Sequence, residues 1–235
     1  MSASPTDSIQ NQAAYGVGEA AHILALPAAT VRAWSFGQQN QPPRERVLRF
    51  QPVIKAADTK LRLLSFANLC ELHLLAVIRR HHRVTLPKVR KAVRYMEKQL
   101  RAERPLLSKD LLTNGVDLFV ASADHVLTVS SDGQQALRDD FEQALSRVQF
   151  DNRSGQVLRL FPFTSPPGHQ TNHAPTVVVD PSTSFGRPVI ASAGVRTEVI
   201  AQRFAAGDCI QEMADDYGVP SLEIEEALRF ERRAA

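Results

Sequence analysis

Two short helical patterns joined by a turn open the chain, and they restrict its fold more than any other feature. Residues 17–24 and 28–35 each repeat apolar side chains at helical spacing, and Ala25-Leu26 interrupts the repeat. Pro27 stands where the second helix begins, a position that tolerates its missing N–H. Small residues at the contact and an apolar turn residue favour a helix-turn-helix over a plain pair of antiparallel helices, although both fit the pattern.

The second of these helices carries polar side chains between its apolar positions. In a helix-turn-helix of the DNA-binding type, this helix enters the major groove and its exposed polar side chains contact base edges. The candidate base contacts are Thr30, Arg32, Ser35 and Gln38. Trp34 is expected to pack in the core rather than stack on a base, as large aromatic side chains bury much apolar surface.

Basic residues follow the second helix on segments of β-like composition. Residues 47–50 and 61–64 are short β-like runs that flank a turn-rich stretch, and they predict a β-hairpin in the position of a wing. The candidate contacts to phosphate or the minor groove are Arg44, Arg46 and Arg49 on this wing and Lys88 and Arg90 further along the chain.

The net charge of +3 conceals two parts of opposite sign. Between Arg44 and Lys109, Lys and Arg greatly outnumber Asp and Glu, whereas the chain from Asp110 onward is acidic. A basic part that faces an anion such as nucleic acid would explain the asymmetry. A solvated basic helix has the same composition, so charge alone leaves both alternatives open.

The middle of the chain is predicted to consist of helices and short strands. Ser65 is a candidate N-cap for a helix that ends near Arg80. A second helix is predicted to be capped by residues 85–87 and to end at Leu100. The elements predicted after it are strands at 117–120 and 125–129, a helix at 133–149 and a strand-like run at 156–163.

Three helices are predicted near the C-terminus, at residues 197–206, 210–217 and 221–232. Their candidate caps are Gly207 and Gly218 at C-termini and Asp208 and Ser221 at N-termini. The last two helices make a second helix-turn-helix, whose final helix carries Glu223, Glu225 and Glu226. A phosphate backbone would repel these carboxylates, so we expect this motif to bind protein, although a purely structural helix pair has the same sequence.

The predicted fold class is therefore mainly α with small β elements (α+β), a winged helix-turn-helix followed by a three-helix domain that contains the second motif. The main boundary is expected in a Pro/Gly/His-rich stretch without periodicity. The predicted parts are a disordered lead-in at 1–14, the winged helix-turn-helix at 15–104, an α/β connecting segment at 105–164, a linker at 165–175 and the helical domain at 176–235.

The sequence gives little support for catalysis, metal binding or membrane insertion. It has no Gly-rich phosphate loop or nucleophile motif, so we expect neither an enzyme nor a cofactor. His81 and His82 are adjacent on a helix and lack spaced partner ligands, which argues against a metal site. Cys70 and Cys209 are expected to be buried free thiols in a reducing cytoplasm. No apolar run approaches the length of a membrane span, and residues 1–11 do not resemble a secretory signal.

Two sets of motifs are similar to known families. The first set is Val17-Gly18-Glu19-Ala20-Ala21, Thr30-Val31-Arg32-Ala33-Trp34, Leu64-Ser65-Phe66 and Val84-Thr85-Leu86-Pro87-Lys88-Val89, and with it residues 15–100 resemble MerR-type winged-helix regulators. The second set is Val179-Asp180-Pro181, Phe185-Gly186-Arg187-Pro188-Val189-Ile190, the run 205–212, Tyr217 and Ile224-Glu225-Glu226-Ala227-Leu228. With it, residues 176–229 are similar to a small domain of antitoxins from bacterial toxin–antitoxin operons. Together the two parts resemble a VapB-type antitoxin encoded beside a PIN-domain ribonuclease.

The resemblance implies an antitoxin of a type II pair that neutralises a PIN-domain toxin and represses its own operon by binding duplex DNA at an operator. It implies a bacterial cytoplasmic protein that joins the nucleoid when bound to DNA. Because one copy offers a small footprint, we expect a homodimer on an inverted repeat. The candidate toxin or dimer contacts are Arg187, Glu223, Glu226, Arg232 and Arg233. Two alternatives stay open, a free-standing MerR-like transcription regulator without a toxin and an adaptor whose motifs serve only oligomerisation.

Overall fold

A computed structural model describes residues 8–40, 48–82, 86–108, 131–164 and 175–233. Within these ranges the chain is mainly helical with small two-stranded antiparallel sheets, which confirms the predicted fold class. None of the helices in the described ranges combines the length and the apolar character that a membrane crossing requires.

The first two helices form the predicted helix-turn-helix. Helix α1 spans Val17–Leu24 and helix α2 spans Ala28–Phe36, with Pro27 at the N-cap of α2. The backbone turns between them through Ala25, whose φ of 49° lies in the left-handed region. Ala20 is completely buried. Its small side chain allows the two helices to approach closely.

A two-stranded wing follows α2, but its first strand is not the predicted one. Strand β1 (Gln38–Asn40) pairs with strand β2 (Leu48–Phe50), so the Gln-rich segment supplies a strand that its composition conceals. The run at 61–64 does not join the wing, because Leu64 exchanges backbone hydrogen bonds of 2.8 and 2.9 Å with Tyr15 instead. The predicted strand at 47–50 therefore exists as β2, whereas its predicted partner at 61–64 is wrong.

Two longer helices form the centre of the molecule. Helix α3 spans Phe66–His82 and helix α4 spans Leu86–Leu100. Ser65 caps α3 as predicted, since its hydroxyl oxygen accepts a 3.2 Å hydrogen bond from the backbone N–H of Asn68. The same turn buries Glu71, whose carboxylate accepts hydrogen bonds from Asn68 (2.9 Å) and Arg104 (2.6 Å). Burial raises the pKa of Glu71, which the Arg104 guanidinium partly offsets.

Helix α5 (Ser131–Ser146) packs on α3 through Phe141 and Ala144, both completely buried. It ends before the predicted residue 149, because Val148–Phe150 forms strand β3 and pairs with strand β4 (Val157–Leu160). The strands predicted at 117–120 and 125–129 and most of the predicted linker, residues 165–174, lie outside the described residues. The chain on either side of that segment is paired, since Leu160 and Val179 exchange backbone hydrogen bonds of 2.8 and 3.0 Å.

The C-terminal helices have the predicted bounds, at Thr197–Ala206 (α6), Ile210–Tyr217 (α7) and Ser221–Arg232 (α8). They pack beside a small sheet of strands β5 (Val177–Val178) and β6 (Val189–Ile190). Gly207 and Gly218 are the C-caps, as predicted.

The predicted N-caps of α7 and α8 are wrong by one residue each. Cys209 caps α7 in a reciprocal capping box with Glu212, because the carboxylate of Asp208 is engaged 2.5 Å from the Arg203 guanidinium. Pro220 rather than Ser221 occupies the N-cap of α8. Cys209 is consequently exposed, which contradicts the expectation of a buried thiol, whereas Cys70 is buried as predicted.

The C-terminal part packs directly on helix α1. The Tyr15 hydroxyl donates a 3.1 Å hydrogen bond to the carbonyl of Gly186, and Arg187 forms an ion pair with Glu19. His22 lies 3.0 Å from a carboxylate oxygen of Glu231, and its ring packs edge-on against another residue of α8, Phe230. The first helix of the helix-turn-helix is thus held by the C-terminal helices, while α2 is left on the outer side of the motif.

Candidate nucleic-acid interface

Helix α2 presents a narrow polar face to solvent. Arg32 is exposed, Thr30 is half-buried, and Val31 and Trp34 are buried at 0 and 1% exposure, as expected for core positions. The candidate base contact Ser35 is misplaced, because its side chain is only 1% exposed on the same face as Val31 and Trp34. Residues i, i+3 and i+4 share a helix face, so Ser35 belongs to the core of this motif rather than to its reading surface.

The end of α2 is fixed by contacts to the segment after the wing. The Trp34 carbonyl accepts backbone hydrogen bonds from Val53 (2.7 Å) and Ile54 (3.2 Å). These bonds satisfy a carbonyl that the helix terminus leaves without an intrahelical partner. The C-terminal end of the helix that carries Arg32 is therefore fixed to the segment that follows the wing.

A basic turn beside the end of α2 carries Lys60 and Arg62, which the sequence places in the predicted wing but not among the candidate DNA contacts. Asp58 closes this turn, because its carboxylate accepts 2.8 Å hydrogen bonds from the backbone N–H groups of Lys60 and Leu61. Lys60 is exposed, and the Arg62 guanidinium lies 5.6 Å from the ring centroid of Phe36, the last residue of α2. The sequence hint was the Asp58-Thr59-Lys60 turn signal, but its place beside α2 follows only from the tertiary fold.

The wing residues are placed by their backbone alone. Gln38 lies in β1 opposite Phe50, and Arg49 lies in β2 opposite Gln39. Arg44 and Arg46 lie outside the described residues. The hairpin leaves α2 immediately after Gly37, so both of its strands begin or end close to the helix that carries Arg32.

Helix α4 brings more positive charge to the base of the wing. Arg94 donates a hydrogen bond to Gln51, the residue that follows β2, and Lys91 is exposed nearby on the same helix. Arg90 is half-buried, and partial burial together with the neighbouring Arg94 lowers its pKa. Lys88 lies in the first turn of α4. The helix therefore places positive charge beside the residue that follows β2.

We expect the double substitution Lys60→Gln and Arg62→Gln to weaken duplex DNA binding by about 10-fold at physiological salt without changing sequence preference. Each lost phosphate contact should also reduce the slope of log affinity against log salt by about 1. Fluorescence anisotropy over a salt series measures both quantities. Arg153→Gln, which changes an exposed arginine in the turn between β3 and β4, is the control and should leave the slope unchanged.

The candidate toxin or dimer contacts are distributed differently from the prediction. Glu226 is only 3% exposed and forms an ion pair with Arg229, so it supports α8 from within rather than lying on a contact surface. Arg187 is engaged by Glu19 of α1, and Glu223 accepts a hydrogen bond from the Ser192 hydroxyl. Close packing around α8 buries Glu226, whereas Arg187 stays exposed and Glu223 half-buried, so a contact role for these two residues stays a prediction.

The two terminal arginines differ. Arg232 is exposed, whereas Arg233 is half-buried and its guanidinium lies 4.7 Å from the ring centroid of Phe230. Among the described residues, no group of three or more His, Cys, Asp or Glu side chains is arranged to hold a metal ion.

Family models match both parts of the chain. Residues 13–93 match the model described as "Putative DNA-binding HTH domain", and residues 177–230 match "Protein of unknown function (DUF433)". The first match contains α1, α2, the wing and most of α4, and the second contains β5 to α8.

Two proteins of Mycobacterium tuberculosis (strain ATCC 25618 / H37Rv) are similar over nearly the whole chain. "Putative antitoxin VapB45" is 28% identical over 231 residues, which are 91% of this chain and 92% of that protein. "Uncharacterized protein Rv2308" is 21% identical over 236 residues, which are 96% and 93% of the two chains. The crystal structure of Rv2018 from Mycobacterium tuberculosis has the same fold, with a TM-score of 0.68 at 22% identity over 93% of this chain and 98% of that one.

Proposed function

We propose that this protein is a DNA-binding antitoxin that represses its own operon and neutralises a ribonuclease toxin of the PIN-domain class. The observation that carries the proposal is the solvent-facing helix α2 with exposed Arg32, inside a segment that matches a DNA-binding helix-turn-helix model. The similarity to an antitoxin extends over 91% of the chain and therefore includes the C-terminal helices as well as the helix-turn-helix.

In this proposal the basic N-terminal part is the DNA-binding surface, in the manner of MerR-type regulators. Arg32 and Thr30 contact base edges in the major groove, and Gln38 stands at the start of the wing. The phosphate contacts come from Lys60 and Arg62, from Arg49 on the wing, and from the α4 face with Lys88, Arg90 and Lys91. A homodimer places two such surfaces on an inverted repeat.

The acidic C-terminal part binds the toxin in this proposal. Helices α7 and α8 form the second helix-turn-helix, and their exposed carboxylates, such as Asp215 and Glu225, disfavour a phosphate backbone. Arg232 is exposed at the end of α8 and is available to an acidic partner. The domain division expected from the sequence, with a linker at 165–175, remains part of this proposal. Helix α1 belongs to the N-terminal part and also contacts the C-terminal part.

Co-expression with the product of the adjacent reading frame tests the toxin assignment. The expected result is a complex that survives size-exclusion chromatography and a culture that resumes growth when this chain is induced after the neighbouring protein. A chain that binds its upstream DNA but neither binds nor neutralises the neighbouring protein would instead be a free-standing regulator, and the antitoxin proposal would be wrong.

A further inference from the structure

An open groove lies on the C-terminal helices, away from the face that contacts α1. Its volume is about 500 Å³, and it runs between α6, the start of α7 and α8. Apolar side chains form its floor, namely Phe204, Ile210 and Leu228. Phe204 is 44% exposed, so a large part of an aromatic side chain faces solvent at this groove.

One arginine on the rim of this groove has no charged partner among the described residues. Arg229, Arg232 and Arg233 line the groove together with the carboxylate of Glu225. Arg229 forms an ion pair with Glu226, and the Arg233 guanidinium packs on the ring of Phe230. Arg232 is exposed and forms no hydrogen bond or ion pair with any described residue. The groove therefore offers an apolar floor beside Arg232, an exposed cation without an ion-pair partner among the described residues.

We propose that this groove, here called the α6–α8 groove, docks an amphipathic helix or strand of the toxin, which places apolar side chains on Phe204 and Leu228 and a carboxylate on Arg232. The inference rests on the proposed antitoxin function and names the surface that performs it. Arginine and aromatic side chains at a desolvated apolar contact are the groups that contribute most to protein–protein affinity. The charge of Arg232, which has no ion-pair partner among the described residues, favours an acidic partner over a basic one.

Two other occupants fit the groove less well. Residues 165–174 follow Thr164 at its edge, but this segment contains no Asp or Glu and offers Arg232 no carboxylate. The most exposed apolar side chains that the described residues of a second copy would offer are Phe185 and Leu61. Phe185 lies two residues from Arg187, and Leu61 stands between Lys60 and Arg62, so these segments would bring further positive charge toward Arg232.

Isothermal titration calorimetry of the purified neighbouring protein against the full chain tests the proposal. We expect Arg232→Glu to weaken binding by roughly 30-fold, because it sets a carboxylate against the partner's carboxylate. Phe204→Ser should weaken binding by about 10-fold, because it removes the aromatic contact on the floor of the groove. Lys98→Glu, a charge reversal on the exposed face of α4, is the control and should bind the partner as the wild type does. Upstream DNA binding by the Arg232 and Phe204 variants shows that they remain folded.

The outcomes separate this proposal from the proposed function. If wild type and both groove variants bind the neighbouring protein within twofold of each other, the groove assignment is overturned and the antitoxin function stands. If the wild type does not bind that protein at all, the function and the groove assignment fall together. A wild type that is dimeric by light scattering and an Arg232→Glu variant that is monomeric would identify a second copy as the occupant and also overturn the proposal.

Discussion

Arg32→Glu is expected to lower affinity for the upstream DNA by roughly 100-fold, since it replaces a base contact with a carboxylate that faces the phosphate backbone. The side chain is exposed on α2 and far from the core, so the free energy of unfolding should change by less than about 0.5 kcal/mol. Anisotropy titrations at constant salt measure the affinity, and urea denaturation measures the stability.

Arg153→Glu provides the matched control for this experiment. It makes the same charge change on an exposed turn between β3 and β4, which the DNA-binding proposal does not use. Long-range repulsion alone would weaken both variants equally, whereas a specific contact weakens only the α2 variant. Equal affinities for wild type and Arg32→Glu would remove α2 from the reading surface.

Gly186→Ala is expected to lower the free energy of unfolding by about 3 kcal/mol. This is the largest stability effect that we expect, although the substitution removes no side chain. Gly186 has a φ of 75°, a left-handed conformation that costs alanine about 1 kcal/mol or more. A Cβ there would lie 2.1 Å from the Tyr15 hydroxyl oxygen, which also breaks the hydrogen bond from that buried hydroxyl to the Gly186 carbonyl. Urea denaturation measures the free energy of unfolding.

Two further variants separate the causes of that loss. Gly218→Ala has a comparable φ of 63° but meets no atom within 4 Å, so it should cost only about 1 kcal/mol. Tyr15→Phe combined with Gly186→Ala removes the closest overlap and should recover part of the stability relative to Gly186→Ala alone. If Gly186→Ala and Gly218→Ala cost the same, the contact between Tyr15 and Gly186 does not hold the C-terminal part on α1.

The C-terminal helices show what local sequence can determine. Their bounds were predictable because Gly207 and Gly218 end helices by adopting left-handed backbone and because apolar residues recur at helical spacing. The N-caps were not, since Asp208 is a good capping residue by type but is taken by Arg203. The choice between Asp208 and Cys209 depends on a side-chain contact that no local pattern records.

The wing shows the limit of the same reasoning for strands. The run at 61–64 has the composition of a strand, yet Leu64 pairs with Tyr15, nearly fifty residues earlier. Strand pairing is decided by which backbone groups meet in the folded chain, so a sequence window cannot select the partner. Gln38–Asn40 forms a strand despite its composition because Gly37 turns the chain out of α2 at that point.

Some residues of the candidate site were predictable from local sequence, and others were not. The exposure of Arg32 and the burial of Val31 and Trp34 follow from helical periodicity, and the same periodicity places Ser35 inside. Arg62 lies beside Phe36 of α2 through a contact between residues distant in sequence, and Lys60 belongs to the same turn. Glu226 is buried by the packing around α8. These last positions follow from tertiary contacts and could not be predicted from the spacing of residues.

Titration of a labelled duplex from upstream of this reading frame with the wild-type protein, over a range of salt concentrations, tests whether the chain is a sequence-specific DNA-binding protein. We expect log affinity to fall linearly with log salt with a slope of about −4 or steeper. An unrelated duplex of equal length should bind at least about 1000-fold more weakly. No binding at the lowest salt concentration, or equal affinity for the two duplexes, would contradict this assignment.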